Sequence, residues 1–142
     1  MANVIPFAFR GELFSGTHDF SSGGDQFKLA LYTSSPYDTS STIYVVTNEQ
    51  SSAGGSNYVA GGNDLGSNAV VSTTAVASCD FADSEWTSAT ISVAFGALYD
   101  ETASNKLCVV LDFSGTKTCT NGTFKVSFPS PATAADAIIS MA

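Results

Sequence analysis

Between Ala75 and Asp100 the chain passes through two β-type runs separated by a polar turn that carries Asp83, Glu85 and Trp86. This stretch limits the fold more than any other. The flanking runs, Ala75 to Phe81 and Thr90 to Tyr99, are rich in β-branched, small and aromatic residues and show no helical spacing. Runs of this kind belong to antiparallel sheets joined by turns.

The rest of the chain repeats the pattern. Residues 26 to 32 alternate, with Phe27, Leu29 and Leu31 on one face and Lys28, Ala30 and Tyr32 on the other. Short β candidates follow at 43–46, 69–72, 106–113, 123–128 and 137–141, the last after a break at Pro129 and Pro131. Asn121-Gly122 between two such runs predicts a type I′ hairpin turn. Glycine pairs at 54–55 and 61–62 mark a loop with Tyr58 and Val59 between them. Helical character is confined to residues 5 to 15, with Pro6 suited to a first helical position and Gly16 to the residue past the end. With no alternating βαβ units, a parallel α/β sheet is not expected. The expectation is a mainly β fold: a single antiparallel β-sandwich or jelly-roll-like barrel with one short N-terminal helix. It forms one domain over 1–142, with 1–16 as an N-terminal anchor segment.

A chain of 142 residues is long enough to bury roughly 68% of its unfolded surface without disulfide or metal support. Charged residues make up only 13%, against a usual ~25%, and Ser and Thr hydroxyls solvate the surface instead. The net charge of −8 lies wholly between Lys28 and Lys106, where there is no Lys or Arg, while the acids and bases of the two ends cancel. An acidic centre argues against nucleic acid, whose phosphates need Lys and Arg, and against anionic membranes. No apolar run approaches the ~20 residues of a membrane span, and the N-terminus lacks a secretion signal. Synthesis without export by the usual route is therefore expected. Cys79, Cys108 and Cys119 are odd in number and lack metal-ligand spacing, so neither a disulfide framework nor a metal site is expected.

Nothing selects an active site. His18 is the sole histidine; Ser15, His18 and Asp19 hold the right residue types for a triad, but neighbours in sequence rarely form one. A histidine at a turn or helix end is the expected role. Asp80, Asp83 and Glu85 offer oxygen ligands for Ca²⁺, yet their spacing does not match an EF-hand loop, and shaping of the turn is the simpler reading. Phosphate-cradling and dinucleotide-binding glycine motifs are absent. No catalytic residue, metal or cofactor is assigned.

Segments at Phe14 to Phe20 (FSGTHDF), Asp25 to Ser35 (DQFKLALYTSS), Thr47 to Glu49 (TNE) and Asn57 to Gly62 (NYVAGG) form part of an ordered set. It continues through Asp80 to Ile91 (DFADSEWTSATI), Gly96 to Tyr99 (GALY) and Val110 to Phe113 (VLDF). This order resembles a family of small virion structural proteins of tailed bacteriophages, from about Phe14 to the C-terminus. The three cysteines and Ala94-Phe95 before Gly96 depart from the pattern. The resemblance implies a non-enzymatic virion component, made in the host cytoplasm. The leading expectation is a capsid decoration (cement) protein on the outer surface of the head, bound to the major capsid protein, with a homotrimer as its natural unit. The alternative is a neck, tail or fibre component with a receptor- or glycan-binding role.

Each reading names its own contact residues. Ile5, Phe7, Phe9, Leu13 and Phe14 make the N-terminal segment more apolar than a solvated terminus needs, and suit a capsid anchor unless they pack on their own domain. Exposed Tyr37, Tyr44, Tyr58 and Trp86 on loops would suit stacking on a glycan, although a single Trp in a β domain is more often a packed core plug.

Overall fold

The computed structural model describes residues 2–73, 75–129 and 137–141. Met1, within the expected anchor segment, and Pro131 lie outside them. One helix, α1 (Phe7–Phe14), precedes seven strands: β1 (Phe27–Tyr32), β2 (Asn63–Leu65), β3 (Ala69–Ser72), β4 (Ala77–Asp80), β5 (Ser84–Asp100), β6 (Lys106–Val126) and β7 (Ile139–Met141). They form two open antiparallel sheets, ordered β2-β1-β5-β6 and β3-β4-β7. The expected mainly β architecture with one short helix is thus present, in an open, sandwich-like form with no closed barrel.

The backbone of the molecule is the hairpin of β5 and β6. Its turn lies between Asp100 and Lys106, where Ser104 and Asn105 both adopt left-handed φ of 61° and Asp100 Oδ1 accepts the Ala103 N–H at 2.9 Å. The expected hairpin at Asn121-Gly122 does not form. β6 runs straight through these residues, and Gly122 pairs with Ala89. Asn121 has φ of 47°, and its N–H is taken by Thr90 Oγ1 at 3.1 Å. Pairing slips on both sides of Ala89, which follows a second left-handed residue, Ser88, on β5. Asn-Gly supplies the positive φ that a bulge also requires, so the same dipeptide serves a kink within a strand. A larger slip follows Val93: Val93 pairs with Lys117 and Phe95 with Asp112, so two steps on β5 match five on β6. Ser114 and Gly115, with φ of 57° and 107°, bulge out there.

Two further expectations are corrected. Residues 43–46 make only an isolated bridge, Ile43 to Lys106, instead of a strand. The polar turn before β5 is shorter than expected, since Glu85 and Trp86 already belong to the strand.

β1 is central and buried on both faces. Phe27, Leu29 and Leu31 face the core between the sheets, where Phe9, Phe20, Phe81, Trp86, Ile91 and Ile139 meet them. Ala30 and Tyr32 face a second cluster with Tyr37, Tyr99, Leu107 and Val110. Gly62 is required beside β1: it has φ of 79°, and a Cβ there would lie 1.9 Å from the Leu29 carbonyl oxygen.

α1 starts without a side-chain cap, because Pro6 occupies the N-cap position just before the helix. The Thr39 carbonyl instead receives the Phe7 N–H at 2.9 Å, satisfying one of the orphan donors of the first turn. Gly16, at φ of 69°, ends the helix as expected. The chain before α1 lies against β6 through mutual backbone hydrogen bonds between Val4 and Val110 of 2.9 and 2.8 Å.

Candidate functional site

α1 divides the expected anchor residues. Phe9 is completely buried, touching His18 and Phe20 through ring contacts at 5.1 and 6.2 Å. Ile5 and Leu13 are half-buried against the same core. Only Phe7 and Phe14 point outward, at 61% and 93% exposure. The five residues therefore do not form one apolar surface, and Phe9 is corrected to a core residue. An eight-residue helix has too few apolar positions to serve both a core and a partner on the same face. Arg10 lies over the Phe7 ring at 5.4 Å, leaving a cation beside the exposed aromatic.

Beneath this helix lies a buried charge cluster. His18 is fixed just after α1, and its side chain is fully enclosed. Its Nδ1 lies 2.7 Å from Asp100 Oδ2, at the end of β5, and its Nε2 lies 3.0 Å from Glu12 Oε2, on α1. Lys106, at the start of β6, closes the chain of charges on the other oxygen of Glu12. With a carboxylate at each nitrogen, the ring is an imidazolium donating twice. Burial alone would lower its pKa, but the hydrogen bonds it donates to Asp100 and Glu12 hold it above the ordinary value. Glu12 also loses solvation, yet Lys106 and His18 keep its carboxyl below the usual range. Asp25 moves the other way: burial and the nearby Asp100 carboxylate raise it.

This arrangement holds three elements together and leaves no free lone pair on the imidazole to accept a proton. The triad types of the sequence are not assembled: Ser15 Oγ bonds to Glu12 O and Thr17 Oγ1, and the Asp19 carboxylate accepts the Ser21 N–H. His18 instead finds Asp100, 82 residues away. The sequence does carry a trace of this, because an acid ends the most apolar part of a strand at Asp100.

The expected recognition aromatics are enclosed. Tyr37, Tyr58 and Trp86 are 5%, 2% and 4% exposed, and the expectation that they stand free on loops is corrected. Each hydroxyl is committed inside. Tyr37 and Tyr32 share a 2.7 Å hydrogen bond beneath the Val45 carbonyl. Tyr58 donates to Glu49 at 2.6 Å and accepts the Leu31 N–H at 3.0 Å. The half-buried Tyr44 stacks on Tyr99 at 4.5 Å and donates to the same Glu49. Trp86 packs between Tyr58 and Phe124, as a core plug would. The loops are thus pinned through their tyrosines, and the hub that does so is Glu49, which the sequence marked only as the end of the Thr47-Asn48-Glu49 stretch.

Two of the three acids suggested for Ca²⁺, Asp83 and Glu85, have other partners. Asp83 and Glu85 hold Lys125 at 3.0 and 3.2 Å, and Asp83 also accepts the Phe128 N–H. Among the described residues no three His, Cys, Asp or Glu side chains are grouped to hold a metal ion. All three cysteines are free; Cys79 is buried, which pushes its thiol up to about 12. No helix among the described residues is long and apolar enough to cross a membrane.

Comparison with family models, with curated proteins and with solved structures finds no match to this chain.

Proposed function

We propose that this chain is a virion structural protein of a tailed bacteriophage, acting as a capsid decoration protein that binds the assembled head and stabilises it. The observation that carries this reading is α1, which presents Phe7 and Phe14 to solvent while its inner face is locked down by Phe9 and the Glu12–His18–Asp100 chain. Exposed aromatics on a rigidly held element suit docking, because little side-chain or backbone freedom remains to be lost on binding. The ordered motifs from Phe14 onward support the same reading by resemblance. A protein that binds only the assembled shell stabilises it by mass action. Repeated contacts from a trimer placed on local threefold positions of the major capsid protein add as avidity.

A neck, tail or fibre component is the competing reading. Its glycan-stacking form loses support from the burial of Tyr37, Tyr58 and Trp86. Copy number per particle separates the two, read from a quantitative gel against the major capsid protein. Decoration requires a simple fraction of the capsid protein's copies. A copy number far lower would assign the chain to the neck or tail instead.

A further inference from the structure

α1 is tied to the sheets in more than one way, and one of the ties can be cut by a proton. Phe9 seats the helix in the core, and the Phe7 N–H bonds to the Thr39 carbonyl. A further tie is the ionic chain Lys106–Glu12–His18–Asp100, which joins α1 to the β5–β6 hairpin. The helix needs such support. It has eight residues, no side-chain cap and a glycine, Gly11, in its middle, and a helix this short has little stability of its own in water.

The chain of charges is complete only while the ring is charged. Nδ1 lies 2.7 Å from Asp100 Oδ2 and Nε2 lies 3.0 Å from Glu12 Oε2, so both nitrogens must donate. A neutral imidazole has one N–H and turns a lone pair toward the other carboxylate. The two ends are not equal. Asp100 is fully enclosed, and its other oxygen accepts the Ala103 N–H in the hairpin turn. Glu12 is 14% exposed, and Lys106 stands on its other oxygen. The remaining proton therefore stays toward Asp100, whose charge has no route to solvent, and Glu12 is the partner that gives way.

The other groups around the ring do not replace its charge. Asp25, ahead of β1, stands beside Asp100 and adds a negative charge once ionised. Asp19 and the Cys79 thiol of β4 line a cavity that also reaches His18. Burial raises the thiols of Cys79 and of Cys108 on β6, which keeps both neutral. The Phe9 and Phe20 rings lie 5.1 and 6.2 Å from the imidazole.

We propose that Glu12–His18–Asp100 is a pH-operated latch on α1: with the imidazole charged the helix is held against the β5–β6 hairpin, and with it neutral Glu12 lets go and α1 opens locally while the sheets stay folded. The latch decides whether Phe7 and Phe14 are presented on a fixed surface. It rests on the charge cluster and stands whether or not α1 meets a capsid. His18 has a raised folded pKa, so the latch is closed below 6.5 and opens as pH climbs through the folded value.

The test uses the full chain and follows trypsin cleavage after Arg10, a bond within α1 that is protected while the helix is closed. A synthetic peptide of residues 7–14 corrects for the protease's own pH dependence. Amide hydrogen exchange of β1 and β5, scaled to the rates of unstructured peptides, reports the sheets. Between about pH 6 and about pH 9, corrected cleavage should rise about tenfold or more, as the loss of a hydrogen bond to a charged group implies, while sheet protection holds. Glu12→Gln should remove the rise, since its amide N–H can donate to the neutral Nε2 and its carbonyl still accepts from Lys106. Wild-type cleavage that does not rise overturns the proposal, with or without a folded variant. So does a rise that Glu12→Gln keeps, and so does a parallel loss of protection in the sheets, which would mean global unfolding and no latch.

Discussion

At the scale of single residues, the polar groups that matter are those with partners far away in sequence. Tyr58 is an example: one hydroxyl serves both the Leu31 N–H and the Glu49 carboxylate. Tyr58→Phe should cost about 1–3 kcal/mol, because both partners lose a bond within a closed site. Chemical denaturation of the two proteins measures it, and a difference below a few tenths would show that Glu49 finds a substitute. Gly62 is limited by space and backbone together. Gly62→Ala forces a Cβ against the β1 backbone at a positive φ and should cost about 2–4 kcal/mol. Its thermal midpoint would have to match the wild type for this account of the close approach to fail.

At the scale of elements, α1 separates folding from docking. The outward rings of Phe7 and Phe14 contribute little to the core, so changing both to Ser should alter stability by less than about 0.5 kcal/mol. The same change should abolish association with assembled heads, measured by co-sedimentation. Full occupancy by a folded double variant would remove α1 as the docking element. Phe9→Ala should do the reverse, costing about 3–5 kcal/mol through the cavity it leaves. An anchor tested through Phe9 would therefore report unfolding instead of lost contact.

At the scale of the whole molecule, the buried charges make stability depend on pH in two directions. His18 has a raised folded pKa, so its contribution is complete below 6.5 and is lost as pH climbs through the folded value. Asp25, also raised, loses its contribution from 3.8 upward, so on the acid side it opposes part of the gain from Glu12 and does not add to the decline through His18. Glu12 has a lowered folded pKa, so its contribution is present above 4.5 and is lost as pH falls through the folded value. Stability from this cluster should peak between 4.5 and 6.5. Thermal midpoints across pH read the profile. His18→Ala should flatten its alkaline side and cost about 3–5 kcal/mol near the peak, since Asp100 is then left buried without its cation. A variant that keeps the alkaline decline would assign it to another group.

The sequence alone determined the elements whose signals are local. Alternation in residues 26–32 identified β1, and Pro6 and Gly16 bracketed the helix to within a residue or two. Low charge, β-branched runs and the absence of helical spacing determined the mainly β class. These properties belong to the chain within a few residues of each position, so they can be read without knowing what packs where. Only the tertiary structure decided the rest. Asn121-Gly122 became a bulge because β5 continues opposite it, and that partner lies some thirty residues earlier in the chain. Phe9 went inward and Phe14 outward because one helix face met the sheets. His18 met Asp100 because the β5–β6 hairpin ends beneath α1. Burial and long-range pairing depend on which surfaces the folded chain brings together, and that information is spread over the whole sequence.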